Sequence, residues 1–248
     1  MFRPGNLGHL GRLGLVAASA YAQSVIASQA YDPHYANVSL LLHFDGPNGG
    51  TSFTDNSSVQ NTVSAIGSTS ISSANIKFGS GSSYFAGGTN GIEVGDTINL
   101  GFGSGDYTVE VWVYVASASS YQAIFDNRLS GKSGIALYIG DGGKAFTIAN
   151  DSYVILSSSI YAPLNQWYHL AMVRKGGILT GYVDGVADGS VSDYRELAAT
   201  AGAYIGRSTT GQWLSGYIDD LRITKGVARY TESFTPPAAA FPNYGQPV

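Results

Sequence analysis

The chain has 248 residues, of which 33 are glycine and 17 tyrosine, with no cysteine and a formal net charge of −4. Lack of cysteine excludes zinc fingers, iron–sulfur proteins, thiol enzymes and disulfide scaffolds. The acidic balance offers no positive field for nucleic acid, and the longest apolar runs, such as residues 38–42, are far shorter than the roughly 18 residues that cross a bilayer. We therefore expect neither nucleic-acid binding nor membrane insertion.

The first 30 residues differ in composition from the rest of the chain. They contain two arginines and no acidic residue, so the net negative charge lies in the remaining residues. The stretch 16–30 is rich in Ala, Ser and Gln without Gly or Pro, which predicts a helix of small residues. We interpret residues 1–36 as an extended and partly helical docking arm that attaches to a partner through Arg3, Leu7, Leu10, Arg12 and Leu13.

A secretory signal is the alternative for this segment. A basic start, a short apolar stretch at 13–18 and the sequence Ala20-Tyr21-Ala22 are typical of a cleaved leader. Glycines interrupt its apolar part, which favours the docking arm. The retained or cleaved state of the N-terminus separates the two interpretations.

From residue 38 onward, short β-branched and aromatic runs alternate with Gly, Asn, Asp and Ser clusters, which predicts a single all-β domain. In the run 107–115, alternation places four valines on the core face and Glu110, Trp112 and Tyr114 on the other. Asp184-Gly185 predicts a tight type I′ turn. We expect strands at 38–44, 83–86, 107–115, 121–125, 134–139, 145–148, 167–174, 179–183, 203–205 and 216–224, with the sheet ending before the proline-rich 231–248.

Five motifs in order give the chain a family likeness. They are LLLHFDG at 40–46, FGSGSSYF at 78–85, YTVEVWV at 107–113, WYHLA at 167–171 followed by YVDG at 182–185, and GYIDDLRITKGVARY at 216–230. Together they resemble the laminin G-like, concanavalin A-like jelly roll of bacteriophage and bacterial surface proteins. The resemblance implies a two-sheet antiparallel jelly-roll sandwich at 37–241, followed by a tail at 242–248, in a family of mostly binding or structural modules that often bind glycans.

The sequence offers little for catalysis. A glycosidase needs a pair of carboxyl groups across the scissile bond, but the four glutamates, Glu93, Glu110, Glu196 and Glu232, form no E-x-D-x-x-E arrangement. No G-x-S-x-G elbow between a strand and a helix is present. His43 and His169 lie inside predicted strands, where a hydrogen-bonded structural histidine is the favoured interpretation over a base or ligand. We expect a protein that is not an enzyme.

The remaining candidates are a cation site and a glycan site. Related jelly rolls hold a structural calcium ion, and the resemblance assigns its ligands to Asp45, Asp219 and Asp220, with turn and backbone hydrogen bonds as the alternative. A glycan needs an aromatic platform with polar groups beside it. Our candidates for that role are Asp126, Asn127, Arg128, Tyr138 and Trp213, although Trp213 equally suits a core cap. Glu110, Trp112 and Tyr114 share a face that could line a concave surface.

These features favour a non-enzymatic virion protein of a bacteriophage. In this hypothesis residues 1–36 bind other virion proteins, and an outward-facing module serves as capsid decoration, fibre component or adhesin that binds host-surface glycans. A homo-oligomer on the particle surface is expected. The alternative is a secreted or cell-surface bacterial lectin.

Overall fold

The computed structural model describes residues 31–95, 98–117, 120–128, 133–151, 153–197 and 202–246. In these ranges the chain forms short 3₁₀ turns at Tyr35–Asn37, Ile98–Leu100 and Asp141–Gly143, and its other regular elements are β-strands. The strands are β1 Val38–Leu42, β2 Val63–Ile66, β3 Ser70–Ser72, β4 Ser82–Ala86, β5 Gly91–Val94, β6 Tyr107–Val115, β7 Gln122–Asp126, β8 Ala136–Ile139, β9 Thr147–Ala149, β10 Val154–Ser157, β11 Trp167–Lys175, β12 Ile178–Val183, β13 Val186–Ser192, β14 Ala203–Ile205 and β15 Ser215–Lys225.

The strands form two antiparallel sheets. The eight-stranded sheet has the order β13-β12-β11-β6-β15-β4-β3, with β1 also paired to β15, and the seven-stranded sheet has the order β10-β9-β8-β7-β14-β5-β2. This architecture confirms the predicted two-sheet jelly-roll sandwich. The arm residues Arg3, Leu7, Leu10, Arg12 and Leu13 and the helix predicted at 16–30 lie outside the described residues.

Alternating residues of both sheets fill the core between them. The four valines of β6 lie there as the alternation predicts, opposite residues such as Leu137 and Ile139 of β8. On β11, Leu170 and Met172 face the core, while His169 and Ala171 on the other face are also buried. Strand β11 is therefore covered on both faces.

A C-terminal segment, residues 226–246, covers part of the outer face of the eight-stranded sheet; we call it the C-terminal strap. Its Tyr230 and Phe234 rings stack at 3.5 Å between centroids and pack on the cluster formed by Ala171, Val173 and Tyr182. Farther along, Phe241 packs against Val38 and Leu41. No strand follows β15 in the described part of the chain, in agreement with the sheet end predicted from the prolines.

The strap changes the role of the outward face of β6. Glu110 is fully buried and Trp112 is 6% exposed, so the suggestion that they line an open surface with Tyr114 is wrong for these two residues. Residues 31–36, assigned by sequence to the arm, also pack here: the Asp32 N–H donates to the Tyr244 carbonyl at 3.0 Å. Both ends of the described chain thus meet on this sheet.

The Asp184-Gly185 turn confirms its prediction and helps to place the strap. Both residues have positive φ, 47° and 77°, as a type I′ turn requires. A side chain at Gly185 would place its Cβ 1.8 Å from the Phe234 carbonyl oxygen, and the Phe234 N–H donates to the Gly185 carbonyl at 2.8 Å. Glycine at this position therefore lets the strap cross the turn closely.

Among the described residues, no helix has the length and hydropathy needed to cross a membrane.

Candidate functional site

Small side chains leave room on the outer face of the seven-stranded sheet. Ala123 of β7, Ala136 of β8 and Ala149 of β9 form a cluster with Tyr138 that is separate from the main core. Ala136 pairs directly with Ala149, which continues this row of short side chains across two strands. Of these three alanines, Ala149 lines a depression whose margins carry larger side chains.

That depression is an open cleft of about 250 Å³. Its aromatic members are Tyr121, Tyr138 and Tyr153, and its polar members are Arg128, Asn150, Asp151, Thr210 and Gln212. Tyr153 is 66% exposed, whereas Tyr138 is buried and packs edge to face with Tyr121 at 6.0 Å. The cleft thus combines an exposed ring with fixed polar groups, a composition typical of small-molecule sites.

Arg128 organises one wall of the cleft. Its Nε and Nη2 donate to the two carboxylate oxygens of Asp126, each at 2.9 Å, and its Nη1 donates to the Asn150 carbonyl at 2.9 Å. Nη2 also contacts the Tyr138 hydroxyl. Burial, together with the Asp126 charge, raises the pKa of Tyr138 and keeps this phenol neutral. Such a forked ion pair holds a planar guanidinium in one orientation.

Asp126 also fixes the loop 208–212 beside the cleft. Its Oδ2 accepts a hydrogen bond from the Thr209 N–H at 3.2 Å. Within the loop, the Gln212 Oε1 accepts from Ser208 Oγ at 2.6 Å and from Thr210 Oγ1 at 2.7 Å. One buried carboxylate therefore positions Arg128 on one side and the Thr210–Gln212 edge on the other.

The structure brings together some of the predicted glycan-site residues and separates others. Arg128 and Tyr138 line the cleft, and Asp126 supports it from beneath. Asn127 is fully buried and bonds the Leu100 carbonyl and the Ile135 N–H, each at 2.8 Å, so its assignment to the binding surface is wrong. Trp213 is half-buried, bridges to Arg207 and is not a lining residue of this cleft.

Sequence reasoning missed several cleft residues. Asn150, Asp151 and Tyr153 lie in the turn between β9 and β10, which was not recognised because β10 is a half-exposed edge strand without a strong apolar run. Their signal was an aromatic residue within an Asn-Asp turn directly after an apolar strand. Thr210 and Gln212 belong to a loop from which the sequence analysis names only Trp213 as a candidate glycan-binding residue.

The calcium assignment does not fit the three aspartates. Asp45 accepts hydrogen bonds from the Ser80 N–H and hydroxyl. Asp220 is hydrogen-bonded to His43 Nδ1 at 2.5 Å and to the Phe241 N–H at 2.6 Å. Asp219 Oδ2 accepts from the Lys77 and Phe78 N–H groups. Calcium needs six to eight oxygen ligands. No cluster of three or more acidic or histidine ligands occurs in the ranges that the structure describes. His43 makes a hydrogen bond, as expected, but it lies one residue after β1 and not inside the strand.

Glu110 belongs to a buried ionic network and is unsuited to acid–base chemistry. Its carboxylate binds Arg222 Nη2 at 2.8 Å and the Tyr230 hydroxyl at 2.6 Å, and His169 Nε2 lies 3.5 Å away. Arg222 and Arg229 also pair with Asp32, at 3.0 and 2.6 Å. Burial alone would raise the Glu110 pKa, but the Arg222 charge, with His169 and Arg229, holds it at about 2. The strap and residue 32 are thus tied to the sheet by charge.

Comparison with protein families and curated sequences gives one match. The family model Laminin_G_3, described as the concanavalin A-like lectin/glucanases superfamily, matches residues 86–231. No curated protein sequence matches the chain.

Solved structures supply the other similarities. Domain 4 of AbnA, a GH43 extracellular arabinanase from Geobacillus stearothermophilus in complex with arabinotriose, is 19% identical with a TM-score of 0.60, over 77% of this chain and 94% of that one. The binding domains of Paraclostridial Mosquitocidal Protein 1 and of botulinum neurotoxin serotype D are each 14% identical, with TM-scores of 0.59 and 0.58. The two matches span 79% and 78% of this chain, but only 50% and 49% of the two solved chains. At these identities the similarity shows the shared fold.

Proposed function

Because the chain belongs to the concanavalin A-like lectin/glucanases superfamily, we propose that it binds neutral glycans, without cleaving them, in the cleft on the seven-stranded sheet. The observation that carries this proposal is the exposed ring of Tyr153 in one cleft with the rigid Arg128–Asp126 pair and the short side chain of Ala149. The arabinotriose complex of the arabinanase domain is consistent with sugar binding by this fold.

The chemistry of the cleft suits a sugar. The apolar face of a pyranose or furanose ring packs on an aromatic face such as that of Tyr153, while hydroxyls take the hydrogen-bonding groups at the margin. Thr210, Gln212 and Asn150 supply such groups. A preorganised guanidinium and side chains tied into a loop reduce the ordering cost of binding.

The charge of the cleft selects neutral over acidic sugars. The positive charge of Arg128 is matched by Asp126, and Asp151, which lies near enough to Arg128 to help raise its pKa, adds a second negative charge. A glycan carboxylate or sulfate would therefore meet a net negative site. The same contacts favour binding over hydrolysis. Asp126 is hydrogen-bonded to Arg128 and Thr209, and Asp151 accepts from the Gly134 N–H at 3.0 Å, so neither carboxylate is free to act as the acid or nucleophile of a glycosidase.

A glycan array probed with the full chain tests this function. We expect binding to neutral oligosaccharides, including arabinotriose, and little binding to sialylated ones. Tyr153→Ala should lower affinity for the hits about tenfold, as loss of one stacking contact of about 1.4 kcal/mol would. Tyr161→Ala is the matched control, since Tyr161 is also 66% exposed but packs under Lys144 outside the cleft. No binding on the array, or equal losses in both variants, would refute the proposal.

We propose further that the module is carried on a bacteriophage particle, with a homo-oligomer as the assembled form. Since residues 31–36 pack on the sandwich, the proposed attachment segment is residues 1–30. Support comes from the arginine-containing, acid-free composition of residues 1–30, and from the closing stretch 218–230 with FTPP at 234–237, which resembles phage virion proteins. The Ala20-Tyr21-Ala22 sequence favours the second candidate, a secreted bacterial lectin. Mass spectrometry of the mature protein separates them: retention of residues 1–22 supports attachment to a particle, and their loss supports secretion.

A further inference from the structure

A second cleft continues the first across the edge of the sandwich. It measures about 340 Å³ and lies between β10, an edge strand of the seven-stranded sheet, and the end of β13, an edge strand of the eight-stranded sheet. The two clefts share Asn150, Tyr153 and Val154. Tyr153 therefore stands at the junction of the two depressions and belongs to both.

An exposed tyrosine also marks the far end of the second cleft. Tyr194 is 72% exposed, and its ring lies against the backbone at Gly177, where an added Cβ would come within 2.1 Å of the ring. The Asp193 N–H donates to the Gly177 carbonyl at 2.7 Å, which holds this segment to the β11–β12 turn. The ring is thus supported from one side and open to solvent on the other.

Polar groups accompany this second ring as they accompany the first. Arg195 Nε donates to Asp193 Oδ1 at 2.6 Å, and both residues line the cleft. This pair repeats the arrangement of Arg128 with Asp126, where a carboxylate also orients a guanidinium two residues along the chain. Asp193 Oδ2 also lies 3.8 Å from Nη1 of the buried Arg174. Each cleft therefore has an arginine oriented by a carboxylate and an exposed tyrosine, with Tyr153 common to both.

We infer that the two clefts form one groove that binds an internal stretch of a linear neutral polysaccharide, several sugar units long, from Tyr121 through Tyr153 to Tyr194. This inference rests on the proposed glycan binding and specifies the ligand class. Both depressions are open rather than enclosed, so a chain can enter at one end and leave at the other. A site for a single terminal sugar would need only one of them.

The test is the dependence of affinity on chain length, measured by calorimetry with the full chain. Arabino-oligosaccharides of two to eight units serve as probes, joined by the corresponding series of any other linear glycan that binds on the array. For the wild type we expect affinity to rise at least tenfold between the shortest binding member and a length that fills both clefts. Tyr194→Ala should abolish that rise and leave the affinity for the short member within about twofold. Tyr121→Ala should lower affinity at every length.

The outcomes separate this inference from the proposed function. Equal affinity for short and long members, or a length dependence unchanged by Tyr194→Ala, would overturn the extended groove while short-chain binding still supported the first cleft. Absence of binding at every length would overturn both. Retained circular dichroism and melting temperature in Tyr194→Ala would show that any loss arises from the contact, since this exposed side chain contributes little to folding.

Discussion

The two outer faces of the sandwich differ in how much of their surface the chain itself covers. On the eight-stranded sheet, Glu110 is fully buried under the C-terminal strap within a network of arginines and Asp32. On the seven-stranded sheet, Ala149 lines an open cleft in which Tyr153 is 66% exposed. One face therefore carries a buried ionic network that stabilises the fold, and the other carries a cleft that is open to solvent.

The outward residues of the central strands account for this division. Strand β6 places Glu110 and Trp112 outward, and a charged group buried there requires partners brought in from elsewhere in the chain. Strands β8 and β9 place Ala136 and Ala149 outward, which need little cover. The C-terminal strap covers the charged face of the eight-stranded sheet, whereas the cleft on the seven-stranded sheet stays open.

The largest expected effect follows from removing charge on the covered face. Glu110→Gln keeps the side-chain shape but leaves Arg222 and Arg229 with Asp32 as their remaining carboxylate partner. We expect a loss of about 3–5 kcal/mol in the free energy of unfolding, measured by urea titration. Lys175→Gln, which removes the exposed pair with Asp106, should cost less than about 1 kcal/mol. Similar small losses in both variants would show that the covered network does not stabilise the fold.

The covered face should also give stability an unusual dependence on pH. Burial, with the Asp220 charge nearby, raises the pKa of Asp219 to about 7 from 3.8, although the Phe78 and Lys77 N–H groups oppose this. Its Oδ1 is buried without a hydrogen-bond partner. The folded state therefore retains a proton that the unfolded chain releases, so stability should fall as pH rises from about 4 to 7, by roughly 3 kcal/mol.

Asp219→Asn should remove that loss, because the amide stays neutral at every pH. Urea titrations between pH 5 and pH 8 should show a flatter profile for the variant and greater stability than the wild type at pH 8. Glu93→Gln, an exposed side chain on β5, should follow the wild-type profile. Parallel profiles for Asp219→Asn and the wild type would contradict the raised pKa.

An intermediate effect is expected from Arg128→Lys in the open cleft. An ammonium group cannot reproduce the forked contact with Asp126, which is fully buried, while the positive charge is kept. We expect a loss of about 2 kcal/mol in unfolding free energy, within the range for disrupted buried ion pairs, and at least tenfold weaker glycan binding in calorimetry. Unchanged affinity would mean that the wall formed by Arg128 does not orient the ligand.

The smallest effect on stability belongs to Tyr153→Ala. Because the ring is mostly exposed, we expect a change within about 0.5 kcal/mol in thermal or urea unfolding, even though binding falls. This result would separate binding from stability on the open face, in contrast to Glu110→Gln. Destabilisation by more than about 2 kcal/mol would identify Tyr153 as a structural residue instead.

The central strands of the fold could be predicted from sequence, and the edges could not. Strands such as β6 and β11 carry continuous apolar and β-branched runs, and β6 was placed with its observed bounds. The unpredicted strands are β2, β3, β5, β10 and β13, and four of these lie at the ends of the two sheets. Edge strands are short and half-exposed; β13 even contains Asp188 and Gly189. Their pairing depends on neighbours distant in sequence.

The candidate site was predictable only in part for the same reason. Asp126, Arg128 and Tyr138 stand out because they are polar or aromatic at strand ends. Asn127 looks equivalent to its neighbours in sequence, yet alternation along the chain turns its side chain into the interior. Tyr153 and Thr210 reach the cleft through sheet order, since β9 adjoins β8, β10 adjoins β9, and β14 adjoins β7.

The most direct test of an open, ligand-binding face is a two-dimensional NMR titration of the full chain with the tightest-binding oligosaccharide. We expect shift changes at Tyr121, Arg128, Tyr153 and the loop 208–212, with none near Glu110 under the strap. Changes centred instead on the partly exposed Tyr84 and Tyr217 of the eight-stranded sheet would contradict the assignment of the two faces.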